Sequence, residues 1–106
     1  VKTDSKYDVI IIGAGIAGLY AALHIPKNKN VLILCKDIPW ECNTFYAQGG
    51  VAAAVDADDI ALHVEDTLKA GAGLCRKEAV ETMIKESLIV IPDLIQRGFG
   101  FDRDEK

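Results

Sequence analysis

The sequence predicts an α/β protein that opens with a parallel strand–turn–helix–strand unit and continues in helices. Three observations carry this. Two short runs, Tyr7–Ile12 (YDVIII) and Val31–Cys35 (VLILC), are rich in β-branched and aliphatic residues. A glycine-rich turn follows the first run directly. Between Asp58 and Arg97 the apolar residues recur every three or four positions. The chain has 106 residues and half of them are hydrophobic, which suits one modest domain with a core.

The first run ends at Gly13 and reads as a buried strand of a parallel sheet. From Gly18 to Ile25 the spacing of Leu19, Ala22 and Leu23 predicts a helix, broken by Pro26 and the polar KNKN that follows. Val31–Cys35 then supplies the second strand, so the first 35 residues form the opening of a βαβ crossover. Residues 36–56 read as loop, with Pro39, Trp40, Asn43 and the pair Gly49–Gly50. The small apolar VAAAV after that pair suggests close packing.

A helix is expected from Asp58 to Ala70, capped by Asp58 or Asp56 and ended by Gly71 and Gly73. Ile60, Val64, Leu68 and Gly71 make its apolar stripe. A longer helix is expected from Lys77 to Arg97. Its stripe is Val80, Met83, Ile84, Ser87, Leu88, Ile91, Leu94 and Ile95, with Gly98 as C-cap. Pro92 lies inside that pattern and should kink or split the helix. Two parallel strands with three helices make an incomplete sheet. The expectation is therefore that residues 1–106 are part of a larger domain rather than a small free-standing one.

The net charge of −4 argues against nucleic acid and against an anionic membrane surface as partners. No apolar run approaches the ~20 residues of a membrane span. The polar start, VKTDSKYD, has no signal-peptide core. Cys35, Cys42 and Cys75 are odd in number and form no CxxC, so reduced thiols are expected in a cytoplasmic protein, with neither a disulfide framework nor a metal site.

Gly13-Ala14-Gly15-Ile16-Ala17-Gly18 is a GxGxxG set between a strand and a helix, with a second strand after it. That context turns a weak pattern into a Rossmann-like dinucleotide-binding signal. Gly13 would allow the tight turn, Gly15 the approach of a pyrophosphate, and Gly18 close helix–strand packing. The helix N–H groups would then bind phosphate. The plainer reading is a tight turn with no ligand. At the end of the second strand, Lys36 stands where a ribose-binding acid is common. It could mark a 2′-phosphate site, or Asp37 could supply the carboxylate, so the turn alone does not choose the dinucleotide.

Residues 44–50 read TFYAQGG. Thr44 and Gln48 carry hydrogen-bonding groups, and Gly49 and Gly50 let backbone face a ligand closely. The competing reading is a loop tucked against the core by Phe45 and Tyr46. Of the remaining candidates, His63 reads as a structural hydrogen-bonding histidine and Glu65 and Asp66 as helix-surface groups. His24 reads as a helix-end residue, and Trp40 as a cover for a ligand base or a filler. Cys42 has no partner thiol for redox work.

The order DVIIIGAGIAGLYAAL, LCK, NTFYAQGGVAAAV and HVEDTLKAGAGLC resembles the amino-terminal part of the L-aspartate oxidase family, flavoenzymes of NAD biosynthesis. The resemblance runs from Tyr7 to Phe101. It extends more distantly to the flavoprotein subunits of succinate dehydrogenase and fumarate reductase. In those relatives a His just before the Thr of HTxxAQGG carries the flavin covalently; here that position is Asn43. The resemblance therefore implies FAD held non-covalently in a Rossmann-like FAD-binding domain, of which this chain is an incomplete part. It implies cofactor contacts from Gly13, Ala14, Gly15, Ile16, Ala17 and Gly18, from Lys36, and from Asn43, Thr44, Phe45, Tyr46, Ala47, Gln48, Gly49 and Gly50. It also implies L-aspartate as substrate, oxygen or fumarate as electron acceptor and contact with quinolinate synthase. It places the catalytic residues beyond position 106, so this chain alone is expected to be inactive. The alternatives are a soluble fumarate reductase or succinate-oxidising relative, and a stand-alone dinucleotide-binding module without catalysis.

Overall fold

The computed structural model describes residues 5–47 and 50–102. Its elements are β1 (Val9–Ile12), α1 (Ile16–Leu23), β2 (Val31–Leu34), α2 (Asn43–Tyr46), α3 (Asp59–Ala70) and α4 (Lys77–Gln96). They fall into two compact units that divide between Gly49 and Gly50.

In the first unit β1 and β2 pair in parallel, Val9 opposite Val31 through to Ile12 opposite Leu34, and α1 packs on β1. Polar ties fix the register at both ends. At the start, the Asn30 N–H donates to Asp8 Oδ2 (2.8 Å), and the Asp8 N–H donates to the Asn30 carbonyl (2.9 Å). At the far end the Gly13 N–H donates to the Leu34 carbonyl (2.8 Å). The expectation of a buried first strand is corrected. Half-buried and exposed residues alternate along β1, with Ile10 57% and Ile12 86% exposed. The described sheet has only two strands, and only one face of β1 meets a helix. The other face keeps the apolar character of a central strand without a cover among the described residues. Helix α1 begins two residues earlier than expected and ends at His24, whose Nδ1–H donates to the Tyr20 carbonyl (2.8 Å).

In the second unit α3 and α4 pack together around Ala54, Val64, Val80 and Ile84, with Ile60, Leu68, Cys75 and Leu88 at the margin. The stripe read from α3 faces this core. On α4 the line that faces this core is Val80 and Ile84, both buried, and half-buried Leu88, spaced by four, while Met83 lies off it and is 58% exposed. Ser87 explains its place among apolar residues. Its hydroxyl accepts the Ala54 N–H (3.1 Å) and donates to the Ile84 carbonyl (2.7 Å), fastening the VAAAV segment onto α4. At the start of α3 the cap is Asp56, whose Oδ1 accepts the N–H groups of Asp58 (2.9 Å) and Asp59 (3.0 Å).

Helix α4 runs as one element through Pro92, so it is not split. It ends in a Schellman motif. Gly98 takes φ +98° and donates to the Ile95 carbonyl, and the Phe99 N–H donates to the Leu94 carbonyl. No helix among the described residues is long and apolar enough to cross a membrane.

Candidate dinucleotide site

The site begins where β1 ends. Gly13 takes φ +108°, a conformation that favours glycine, and turns the chain toward α1. Gly15 is the N-cap residue, extended at φ −72° and ψ 178°. A Cβ on Gly18 would collide with the Gly13 carbonyl oxygen and stand 3.2 Å from Ile11 Cγ2. The third glycine thus serves close helix–strand packing, as its spacing predicts. Ala14 is buried under the turn.

The hydrogen-bond ledger of this turn defines its chemistry. The first N–H groups of a helix have no partner within it. In α1 the Leu19 N–H donates to the Gly15 carbonyl (3.0 Å), and the Ile16 N–H donates to Thr44 Oγ1 (3.1 Å). The N–H groups of Ala14, Gly15, Ala17 and Gly18 donate to no partner among the described residues. The first turn of α1 contains no acid. Unpaired donors at the positive end of a helix dipole, with no competing carboxylate in that turn, suit an anionic group.

Thr44 sits on α2, one helical turn where the sequence predicts loop. The N–H groups of Phe45 and Tyr46 both donate to the Cys42 carbonyl (3.1 and 3.2 Å). A single turn is too short to show apolar periodicity, and one turn alone does not outweigh the cost of nucleation. Here it is held by side-chain ties. Besides the Thr44 bond, the Tyr46 phenol donates to Glu41 Oε2 at 2.8 Å. The hydrogen bond to Glu41, then desolvation, then the Cys42 charge push the Tyr46 phenol above its ordinary value. Phe45 meets the Tyr46 ring edge-on, with centroids 5.5 Å apart. The alternative in which these two aromatics pack the loop into the core does not hold: Phe45 is 63% and Tyr46 60% exposed.

A cavity of about 520 Å³ lies between the start of α1 and the segment that leads into α2. Its walls include Ala14, Leu19, Pro39, Trp40, Thr44 and Phe45. Its size falls within the usual range for a small-molecule site. Lys36 follows β2 at the same end of the sheet as the glycine turn, exposed and without an ion pair or hydrogen bond among the described residues. The Asp37 carboxylate is turned back on its own backbone and accepts the Ile38 N–H (2.9 Å). Between these two candidates, Lys36 keeps the uncommitted charge.

Asn43 is the exposed first residue of α2, and Ala47 ends that turn in an extended conformation. Gln48 and Gly49 lie outside the described residues. Gly50 belongs to the second unit, and a Cβ there would meet nothing within 4 Å. His63, also in the second unit, is half-buried and lines a cavity of about 730 Å³ with Val51, Arg76, Met83 and Ser87. Its ring makes no hydrogen bond among the described residues. Sequence reasoning missed Glu41, because a carboxylate five residues before a tyrosine in a loop carries no recognisable signal. Among the described residues no three His, Cys, Asp or Glu side chains come together as a metal site.

A family model described as the FAD binding domain matches residues 8–106. The chain belongs to the FAD binding domain family. FAD is its cofactor. This FAD-binding chain is 45% identical over 102 residues to the L-aspartate oxidase of Pseudomonas aeruginosa, covering 95% of this chain and 19% of that protein. It is 49% identical over 98 residues to the L-aspartate oxidase of Yersinia pestis, covering 92% and 18%. It is 44% identical over 107 residues to the chloroplastic L-aspartate oxidase of Arabidopsis thaliana, covering 99% and 16%. The chain thus spans about a fifth of the length of these curated relatives.

Proposed function

We propose that the chain is the cofactor-holding amino-terminal part, residues 1–106, of a cytoplasmic L-aspartate oxidase that converts L-aspartate to iminoaspartate for NAD biosynthesis. Its β1–α1–β2 unit is the start of a Rossmann-like FAD-binding domain. The observation that carries this reading is the bond between the Ile16 N–H and Thr44 Oγ1 (3.1 Å). It seats the segment that resembles the flavin loop of L-aspartate oxidases on the dinucleotide turn.

The residues suit the group. The unpaired N–H groups of Ala14, Gly15, Ala17 and Gly18 are donors for a diphosphate; Gly13 allows the tight turn, Gly15 leaves room for the diphosphate, and Gly18 lets the helix pack on the strand. Lys36 offers a positive charge at the same end of the sheet. Asn43, Thr44, Phe45, Tyr46 and Ala47 would run along the flavin; Gln48, Gly49 and Gly50 stay in this set on the resemblance alone. An amide at Asn43 cannot form the histidyl linkage of the respiratory relatives, so the FAD is non-covalent. FAD held by these residues would supply two-electron redox chemistry between L-aspartate and oxygen or fumarate. The residues of this chain bind and orient; none of them acts on the substrate, and 106 residues alone turn over no aspartate. Iminoaspartate then passes to quinolinate synthase.

The test is anaerobic mixing of the flavin-loaded full-length protein, of which these 106 residues are the amino-terminal part, with L-aspartate and, separately, with succinate. Loss of the oxidised flavin absorbance with L-aspartate alone supports the oxidase reading. Loss with succinate alone replaces it with a succinate-oxidising relative.

A further inference from the structure

We propose that Glu41 is a positioning residue for the FAD site, acting through Tyr46; this rests on the FAD-site assignment under Proposed function. Helix α2 is a single turn from Asn43 to Tyr46 and needs ties from outside itself. Thr44 supplies one, on the glycine turn. The Tyr46 phenol supplies the other, donating to Glu41 Oε2 at 2.8 Å.

Glu41 is mounted to do this. Its N–H donates to the Ile38 carbonyl (3.0 Å), and the Ile38 N–H donates to Asp37 Oδ1 (2.9 Å). A run of short bonds thus leads from the end of β2 to the Tyr46 ring. That ring meets Phe45 edge-on, at 86°, and Phe45 is a wall of the 520 Å³ cavity beside Ala14. Both rings are mostly exposed, so burial does not hold them. A phenol-to-carboxylate bond is charge-assisted and stronger than a neutral one. Turned onto Tyr46, the carboxylate has its charge partly satisfied by the phenol. The consequence is that Glu41 sets the approach of the aromatic turn to the cofactor without touching the cofactor itself.

The experiment is a fluorescence titration of FAD into the full-length protein after flavin removal. It compares the unmutated protein with Glu41→Ala, Glu41→Gln, Tyr46→Phe and the double variant Glu41→Ala/Tyr46→Phe. Apo-protein melting temperatures are recorded alongside. Glu41→Ala and Tyr46→Phe should each weaken FAD binding about three- to tenfold. Glu41→Gln, which keeps an acceptor oxygen, should recover most of that loss. The double variant should be no weaker than either single one, because both remove the same bond. Unchanged affinity in Glu41→Ala, or losses that multiply in the double variant, would overturn the inference while FAD binding by the unmutated chain keeps the cofactor assignment. Failure of the unmutated chain to bind FAD overturns both.

Discussion

Thr44 Oγ1 accepts a hydrogen bond from the Ile16 N–H at 3.1 Å, across 28 positions of sequence. The bond joins the two stretches that look most like cofactor-binding segments, and it does so at the first residue of α1. It also places Thr44 Oγ1 3.2 Å from where a Cβ on Gly15 would stand. The turn and the loop therefore constrain each other.

Replacing Thr44 by Val removes the acceptor and keeps the shape. Losing such a cap costs about 1 kcal/mol, and FAD binding should weaken by about fivefold. Thr44→Ser should bind nearly as the unmutated chain does. Isothermal titration with FAD on the full-length protein checks both, and equal affinity for all three proteins counts against the tie.

The glycines divide into those that need to be glycine and those that do not. Gly18→Ala places a methyl group against the Gly13 carbonyl, where only backbone movement relieves it. It should destabilise by about 2 kcal/mol or more. Gly15→Val should abolish FAD binding, because the side chain blocks the turn from a diphosphate. Gly50→Ala meets open space and should change stability by less than about 0.5 kcal/mol. Urea unfolding ranks the stabilities, and flavin content after purification reports the binding.

Ser87→Ala leaves the Ala54 N–H without its acceptor in a residue only 4% exposed. The cost should be about 1–2 kcal/mol. Urea unfolding of the full-length protein reads this loss, and an unchanged midpoint would count against the bond.

Tyr46 gives a pH signature. Its phenol is raised above the ordinary value of 10.0, chiefly by the bond to Glu41. The protonated form is the one favoured in the folded chain. Whatever the bond contributes is thus fully present below the unfolded value and is lost as pH rises through the folded one. Ultraviolet difference titration should show one phenolate forming late, and Glu41→Ala should bring it back toward the ordinary value. No change on that substitution would mean that the bond is not formed in solution.

Most of the backbone plan was legible. YDVIII and VLILC carry aliphatic runs long enough for parallel strands. Ile60, Val64 and Leu68 repeat at helical spacing, and Gly98 stops α4 where glycine at that position usually does. What was not legible depends on tertiary ties. The single turn α2 has no period and exists through Thr44 and Tyr46. Met83 matched the helical stripe but lies off the line that α3 covers. Pro92 costs α4 one backbone bond, yet the packing of Leu94 and the cap at Gly98 carry the helix past it. At the site, the glycine spacing revealed the turn, whereas the Glu41–Tyr46 bond and the turn of the Asp37 carboxylate onto the Ile38 N–H needed atomic positions.

The central claim is that the glycine turn and the Thr44 segment hold FAD without a covalent bond. The most direct measurement is the flavin absorbance of the purified full-length protein, followed by acid precipitation and a second spectrum of pellet and supernatant. The account predicts flavin in the intact protein and all of it in the supernatant after acid. Flavin retained in the pellet, or none bound at the start, would contradict it.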